Sequence, residues 1–142
     1  MSSTSFQGKF IEQAKAIILE NISNEQFGVL ELASLMNMSR SNLLRKIKKQ
    51  TELSASQFIR LVRLQKGMEM LEQTEFTVSE ISYQVGFGNN SYFIKCFRDY
   101  YGSSPGEFRK RAIEKLDIQD KVKIEDKVDT EKKEDVQIGF FN

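Results

Sequence analysis

Glu80-Ile81-Ser82, then Gly86-Phe87-Gly88, then Phe93, Phe97, Ser104 and Phe108: this spacing decides the fold, because the chain carries it twice. The other copy runs Glu31-Leu32-Ala33, Asn37-Met38-Ser39, Leu43, Ile47, Ser54 and Phe58. The offset between them is 49 residues before each turn and 50 after it, so the second turn holds one residue more. Each copy reads as a short helix, a tight turn and a longer helix with a polar, basic outer face. Two such units in one small domain predict a protein that reads two successive grooves of DNA.

Working outward from the repeat, Phe10, Ala14, Ile17, Ile18 and Ile22 recur at helical spacing and predict an amphipathic helix over about residues 7–22. A polar loop leads to a short helix near 29–36, with Gly28 as N-cap and Glu31 favouring its positive end. Ser39 is placed to cap a helix near 40–50. Ser54-Ala55-Ser56-Gln57 is a capping box opening a long helix to about Gln73. That helix is apolar on several sides (Phe58, Ile59, Leu61, Val62, Leu64, Met68, Leu71), as expected of an element held between two subdomains. Gly67 inside it costs about 1 kcal/mol relative to Ala and has no local explanation.

Thr77-Val78-Ser79-Glu80 is a second capping box, for a helix to about Val85. Gly86 and Gly88 permit the positive φ of a tight corner. A helix near 90–101 follows, and Ser104-Pro105-Gly106-Glu107 starts the last one, to about 114. No strand-like alternation lies between residues 7 and 113, so the fold class is all-α. The expected domains are a linker end over 1–7, a double helix-turn-helix domain over 8–113 and a charged, disordered tail over 114–142. Within the domain, 8–54 and 74–113 are the two subdomains and 55–73 is the linking helix.

The net charge of +1 hides an asymmetry: residues 1–113 carry a balance of +4 and residues 114–142 one of −3. With no histidine, no nucleophile–base pair and no glycine-rich phosphate loop, the chain reads as no enzyme. No cofactor or metal is expected, since the single cysteine, Cys96, supports neither a zinc site nor an internal disulfide. Cys96 reads as a small buried hydrophobe. A reducing, cytoplasmic setting is the simplest reading. No apolar run approaches the ~20 residues of a membrane span, so no membrane contact is expected. Phe87 and Met36, Met38, Met68 and Met70 read as core, and Tyr92, Tyr100 and Tyr101 as core or border positions.

In the first unit Leu43 and Ile47 face inward, leaving Arg40, Ser41, Asn42, Arg45, Lys46, Lys48 and Lys49 for the outer side. Arg bonds guanine bidentately and Asn does the same with adenine, while Ser contacts either. Lysines late in the helix suit phosphates, which fix register without reading sequence. In the second unit Phe93 and Phe97 face inward; Asn89, Asn90, Ser91, Ile94, Lys95 and Arg98 are the candidate contacts. Ile94 either touches a thymine methyl or packs on a neighbouring helix.

The stretch from Ile81 to Arg109 resembles the signature of AraC/XylS-type transcription regulators, and the first unit, from Leu32 to Arg60, is similar to that family's less uniform first motif. The resemblance covers about residues 8–112. It implies seven helices, with two helix-turn-helix subdomains joined by a long central helix. It also implies a monomeric reading unit on adjacent major grooves of double-stranded DNA. By position, the first reading helix then offers Ser41, Asn42 and Arg45, and the second offers Asn90, Ser91, Ile94 and Lys95. Met38-Ser39-Arg40-Ser41 and Gly86-Phe87-Gly88-Asn89-Asn90-Ser91-Tyr92-Phe93 look most like output domains of bacterial hybrid two-component regulators. In those, a sensor, kinase and receiver precede the DNA-binding part on one chain; the expected function here is transcription activation through contact with RNA polymerase. A stand-alone small regulator, or a helical module whose basic faces bind an acidic protein, are the alternatives.

Overall fold

The computed structural model describes the backbone of residues 2–126 and the side chains of residues 8–118. The described residues form seven helices and no strand: α1 (Ser2–Glu20), α2 (Val29–Leu35), α3 (Arg40–Thr51), α4 (Ala55–Gln73), α5 (Val78–Gln84), α6 (Asn90–Tyr101) and α7 (Pro105–Asp126). None is long and apolar enough to cross a membrane. Of the described residues, those up to Arg109 make one compact unit and those from Lys110 on belong to a second. The charged stretch 127–142, with its terminal Ile138-Gly139-Phe140-Phe141, lies outside the described residues.

The helix starts are fixed by local chemistry. Ser54 Oγ accepts from the Gln57 N–H at 3.1 Å while Gln57 Oε1 accepts from the Ser54 N–H at 2.9 Å. Thr77 and Glu80 form the same reciprocal pair at 3.0 and 2.8 Å, and so do Ser104 and Glu107 at 3.2 Å in both directions. Each box satisfies two backbone donors that a helix N-terminus otherwise leaves orphaned. At α2, which has Gly28 as its cap, the Glu31 carboxylate accepts from the Gly28 N–H at 2.9 Å.

The two turns share one construction. Asn37 takes the left-handed φ of 56° that Gly86 takes at 83°. The N–H of Met38 reaches back to the Ala33 carbonyl at 3.0 Å, as that of Phe87 does to Ser82 at 2.9 Å. This six-residue return, with a left-handed residue inside it, is the Schellman ending of a helix. The extra residue of the second turn is Gly88, also at positive φ, and the caps of the reading helices (Ser39 and Asn89) fall in register after it.

Two hydrophobic clusters fill the unit. Phe10, Ala14 and Ile18 of α1, Phe27, Leu32, Ala33, Leu43 and Ile47 pack with Ala55, Phe58, Ile59 and Val62 of α4. Ile81, Val85, Phe87, Phe93 and Phe97 pack with Leu64 and Leu71 of the same helix. Helix α4 is thus held between the two subdomains, as its several apolar sides predict: its first half completes one core and its second half the other. Phe87 and the four methionines sit in or against these clusters, and Cys96 is half-buried beside the second.

Two boundaries differ from expectation. Helix α1 starts at Ser2 rather than near 7, within the range expected as a linker. Helix α7 continues to Asp126, well past the expected end near 114. From Lys110 to Asp126 the chain has no Gly or Pro, and Lys110/Glu114 and Asp117/Lys121 stand four apart. Charge alternation that suggests a solvated tail is equally the pattern that stabilises an exposed helix. Ile113, Leu116 and Ile118 are indeed exposed on it.

Candidate nucleic-acid interface

On α3 the buried pair is Leu43 and Ile47, which leaves the opposite side to polar groups. Ser39 Oγ caps the helix by accepting from the Asn42 N–H at 3.1 Å. Arg40, Ser41, Asn42, Arg45, Lys46, Lys48 and Lys49 are all exposed, as the spacing predicts. They are not equally available. Arg45 donates to Asn42 Oδ1 at 2.5 Å, so these two side chains form one fork on the N-terminal half of the helix. The Lys46 ammonium lies 4.6 Å from the centre of the Phe10 ring, a cation–π contact that leans it toward α1. Lys48 reaches the Glu52 carbonyl at 3.2 Å and neutralises the C-terminal end of the helix. Met38, Asn42, Arg45, Lys46, Lys49 and Gln50 line an open depression of about 460 Å³ beside this face.

On α6 the buried pair is Phe93 and Phe97. Asn89 Oδ1 accepts from the Tyr92 N–H at 2.9 Å, so Asn89 is the cap of the reading helix. Ser91, Lys95 and Arg98 are exposed, whereas Asn90 and Ile94 are half-buried and the Asn90 Oδ1 atom is buried. The predicted outward set of Asn90, Ser91, Ile94 and Lys95 therefore splits in two. Lys95 holds the Asp99 carboxylate at 3.0 Å, one turn along. That hydrogen bond, and then the charge of Asp99, raise the Lys95 pKa and keep it an ammonium. Tyr92 is exposed, with its ring 5.7 Å from that of Phe87.

Two helices of twelve residues each, both opened by a side-chain cap and both polar on the N-terminal half opposite the core, are thus built on one central helix. A family profile described as a helix-turn-helix domain matches residues 32–111, from α2 into α7. The chain belongs to the AraC-type family of DNA-binding transcription regulators. It is 35% identical over 113 residues to "Histidine kinase P4" of Formosa agariphila, covering 80% of this chain and 8% of that protein. Of solved structures, it is similar to the C-terminal domain of AraT, a response regulator from Geobacillus stearothermophilus. That likeness has a TM-score of 0.64 and 28% identity over 71% of this chain and 84% of the other. The DNA-binding domain of AdpA, solved in complex with a target DNA, matches with a TM-score of 0.64 and 28% identity, over 71% and 90% of the two chains.

In this AraC-type domain, two arginines outside the reading helices hold the architecture, and neither stands out from the repeat. Arg63 of α4 is buried, with 6% of its surface exposed. Its Nη1 donates to the carbonyls of Ile22 at 2.6 Å and Val85 at 2.9 Å, and its Nη2 to those of Asn24 at 3.1 Å and Phe27 at 3.0 Å. Burial lowers its pKa, and the nearby Glu25 carboxylate partly opposes that shift. Arg109 plays the same kind of role at the far end of α4, donating to the carbonyls of Leu71 at 3.1 Å, Phe76 at 2.6 Å and Thr74 at 3.0 Å. The available signal is a charged residue in the middle of a helix that is apolar on several sides: such a group must find partners across the core.

Proposed function

We propose that α3 and α6 lie in two adjacent major grooves, with base reading concentrated on Ser41, Asn42 and Arg45 in the first and on Ser91, Ile94 and Lys95 in the second. The observation that carries this reading is the paired construction of the two helices, each capped and each presenting exposed polar side chains from its N-terminal half. That is the half of a recognition helix that meets base edges. Arg40, Lys46, Lys48, Lys49 and Arg98 then serve as phosphate contacts. Asn89 acts chiefly by building the start of α6, since its oxygen caps the helix, and Asn90 stands half-buried beside it.

The test is a fluorescence-anisotropy titration on a duplex obtained by in vitro selection with this chain, at several salt concentrations. Affinity should fall steeply with salt, and a flat salt dependence would remove the phosphate contacts. Arg45→Ala should cost about 1–3 kcal/mol and relax preference at one base pair. Equal losses on every sequence would make Arg45 a phosphate contact instead. Protection of two patches about one turn (~10 bp) apart would exclude a helical module that merely binds acidic proteins.

The chain further serves as the output part of a longer, signal-responsive regulator that activates transcription through contact with RNA polymerase. Support comes from its likeness to a small fraction of a histidine kinase and to the C-terminal domain of a response regulator. An antibody raised against this domain should detect, in its own cells, a polypeptide much longer than these 142 residues. A band of the domain's own size would instead favour a stand-alone regulator. Transcription from a promoter bearing the selected site should rise with the regulator present, and a fall would make it a repressor.

A further inference from the structure

Four carbonyl oxygens converge on the Arg63 guanidinium from two places far apart in sequence. Those of Ile22, Asn24 and Phe27 belong to the loop that joins α1 to α2 in the first subdomain. That of Val85 belongs to the turn of the second subdomain, four residues before the Asn89 cap of α6. The fork of a guanidinium is planar and rigid, so it fixes directions as well as distances.

At Gly86 the turn approaches the fork so closely that a side chain is excluded. A Cβ added at Gly86 would collide with the Arg63 guanidinium and with the Ile22 carbonyl oxygen. A Cβ added at Gly88 would meet the far end of the exposed Glu25 side chain, which is free to swing aside, so at Gly88 it is the positive φ that favours glycine. The first turn has Asn37 where the second has Gly86, although both take a left-handed φ. Glycine is therefore required at position 86 by the approach of Arg63 and of the Ile22 carbonyl as well as by φ.

From this we infer that Arg63, seated against Gly86, is a positioning residue that locks the angle between the two helix-turn-helix units, and so sets the spacing of the two DNA half-sites that the protein accepts. Bases touch only α3 and α6, yet both half-sites are engaged at once only if the helices meet the duplex in phase. One base pair of spacer rotates one half-site by about a tenth of a turn relative to the other. When geometry forbids joint engagement, the gain from linked binding is lost, and that gain is on the order of 100-fold or more. The inference rests on the two-groove reading proposed above.

The experiment uses the full chain and the selected duplex, with spacers one and two base pairs shorter and longer between the half-sites. Wild type should bind the parent spacing at least about tenfold more tightly than its neighbours. Arg63→Lys keeps the charge but replaces the four-bond fork with one ammonium, and Arg63→Gln removes the charge. Among variants that melt cooperatively, the parent duplex should bind more weakly while preference among spacers shrinks to about threefold or less. Affinity for a duplex with a single half-site should be unchanged.

A variant that loses affinity equally on all spacers and keeps the full spacing preference would overturn the inference. A wild type indifferent to spacing would overturn the two-groove reading, and the inference with it, so the two failures look different. Should neither variant fold, the distance between spin labels at Leu35→Cys and Tyr83→Cys, in a Cys96→Ser background with Arg63 intact, decides the matter. A single narrow distribution in the absence of DNA supports the lock, and a broad one overturns it.

Discussion

A methyl group on Gly67 would stand 3.0 Å from two carbon atoms of the Phe93 ring and 3.7 Å from Ile81. Helix propensity alone favours Ala at this position by about 1 kcal/mol. The ring opposes it, because Phe93 is fully buried and held by neighbouring rings at 5.2 Å (Phe87) and 5.8 Å (Phe97). Overpacking of this kind costs about 1–3 kcal/mol. Gly67→Ala should therefore lower the midpoint of thermal unfolding, against the sign that propensity predicts. A raised midpoint would show that the second core yields easily. The sequence marks Gly67 as anomalous without explaining it, since its partner lies on another helix. Arg63 is hidden for the same reason: its four acceptors lie 22 to 41 residues away. Contacts that cross the core leave no periodic trace, whereas Leu43/Ile47 and Phe93/Phe97 announce themselves by their spacing of four.

At the scale of single elements, what could be read was what is local. Caps and boxes at Ser39, Ser54, Thr77 and Ser104 bond within three residues, so their patterns carry over directly into hydrogen bonds. Asn89, expected as a DNA contact, also caps α6 with its oxygen, a role its sequence reading does not include. Asn89→Ala should destabilise the domain by about 1 kcal/mol in urea unfolding. Asn89→Ser, which keeps a cap, should recover most of that loss and bind DNA nearly as well as wild type. If Asn89→Ser folds fully but binds DNA tenfold more weakly, Asn89 is a contact after all. Asp99 modifies the same helix from its other end. It holds Lys95 at 3.0 Å and adds a negative charge to a face proposed to meet phosphates. Asp99→Asn should therefore raise affinity for DNA at low salt without a measurable change in stability, since exposed pairs contribute little. Unchanged affinity would place Lys95 away from the duplex. The end of α7 was misread because exposed charge alternation serves tails and helices alike, and no burial pattern separates them.

For the molecule as a whole, the two copies of the repeat divide the work unequally. The second turn carries Gly86 where Arg63 of α4 and the Ile22 carbonyl of the first subdomain press on it. The first turn has an exposed Asn37 at the matching position. Charge is distributed the other way. Helix α3 carries Arg40, Arg45, Lys46, Lys48 and Lys49, whereas α6 carries Lys95 and Arg98, with Asp99 against Lys95. Each lysine neutralising a phosphate steepens the dependence of log affinity on log salt by about 0.9. Lys49→Ala should accordingly flatten that slope by nearly one unit. Lys95→Ala should flatten it by clearly less, because part of its charge is already met by Asp99 and removing it frees an acidic neighbour beside the DNA. In the Asp99→Asn background the Lys95 effect should grow toward that of Lys49. Measuring four slopes, for Lys49→Ala, Lys95→Ala, Asp99→Asn and the double variant, separates anchoring by the first unit from rigid placement by the second. Equal flattening by Lys49→Ala and Lys95→Ala in the presence of Asp99 would show that both helices anchor alike, and that only the packing around Arg63 distinguishes them.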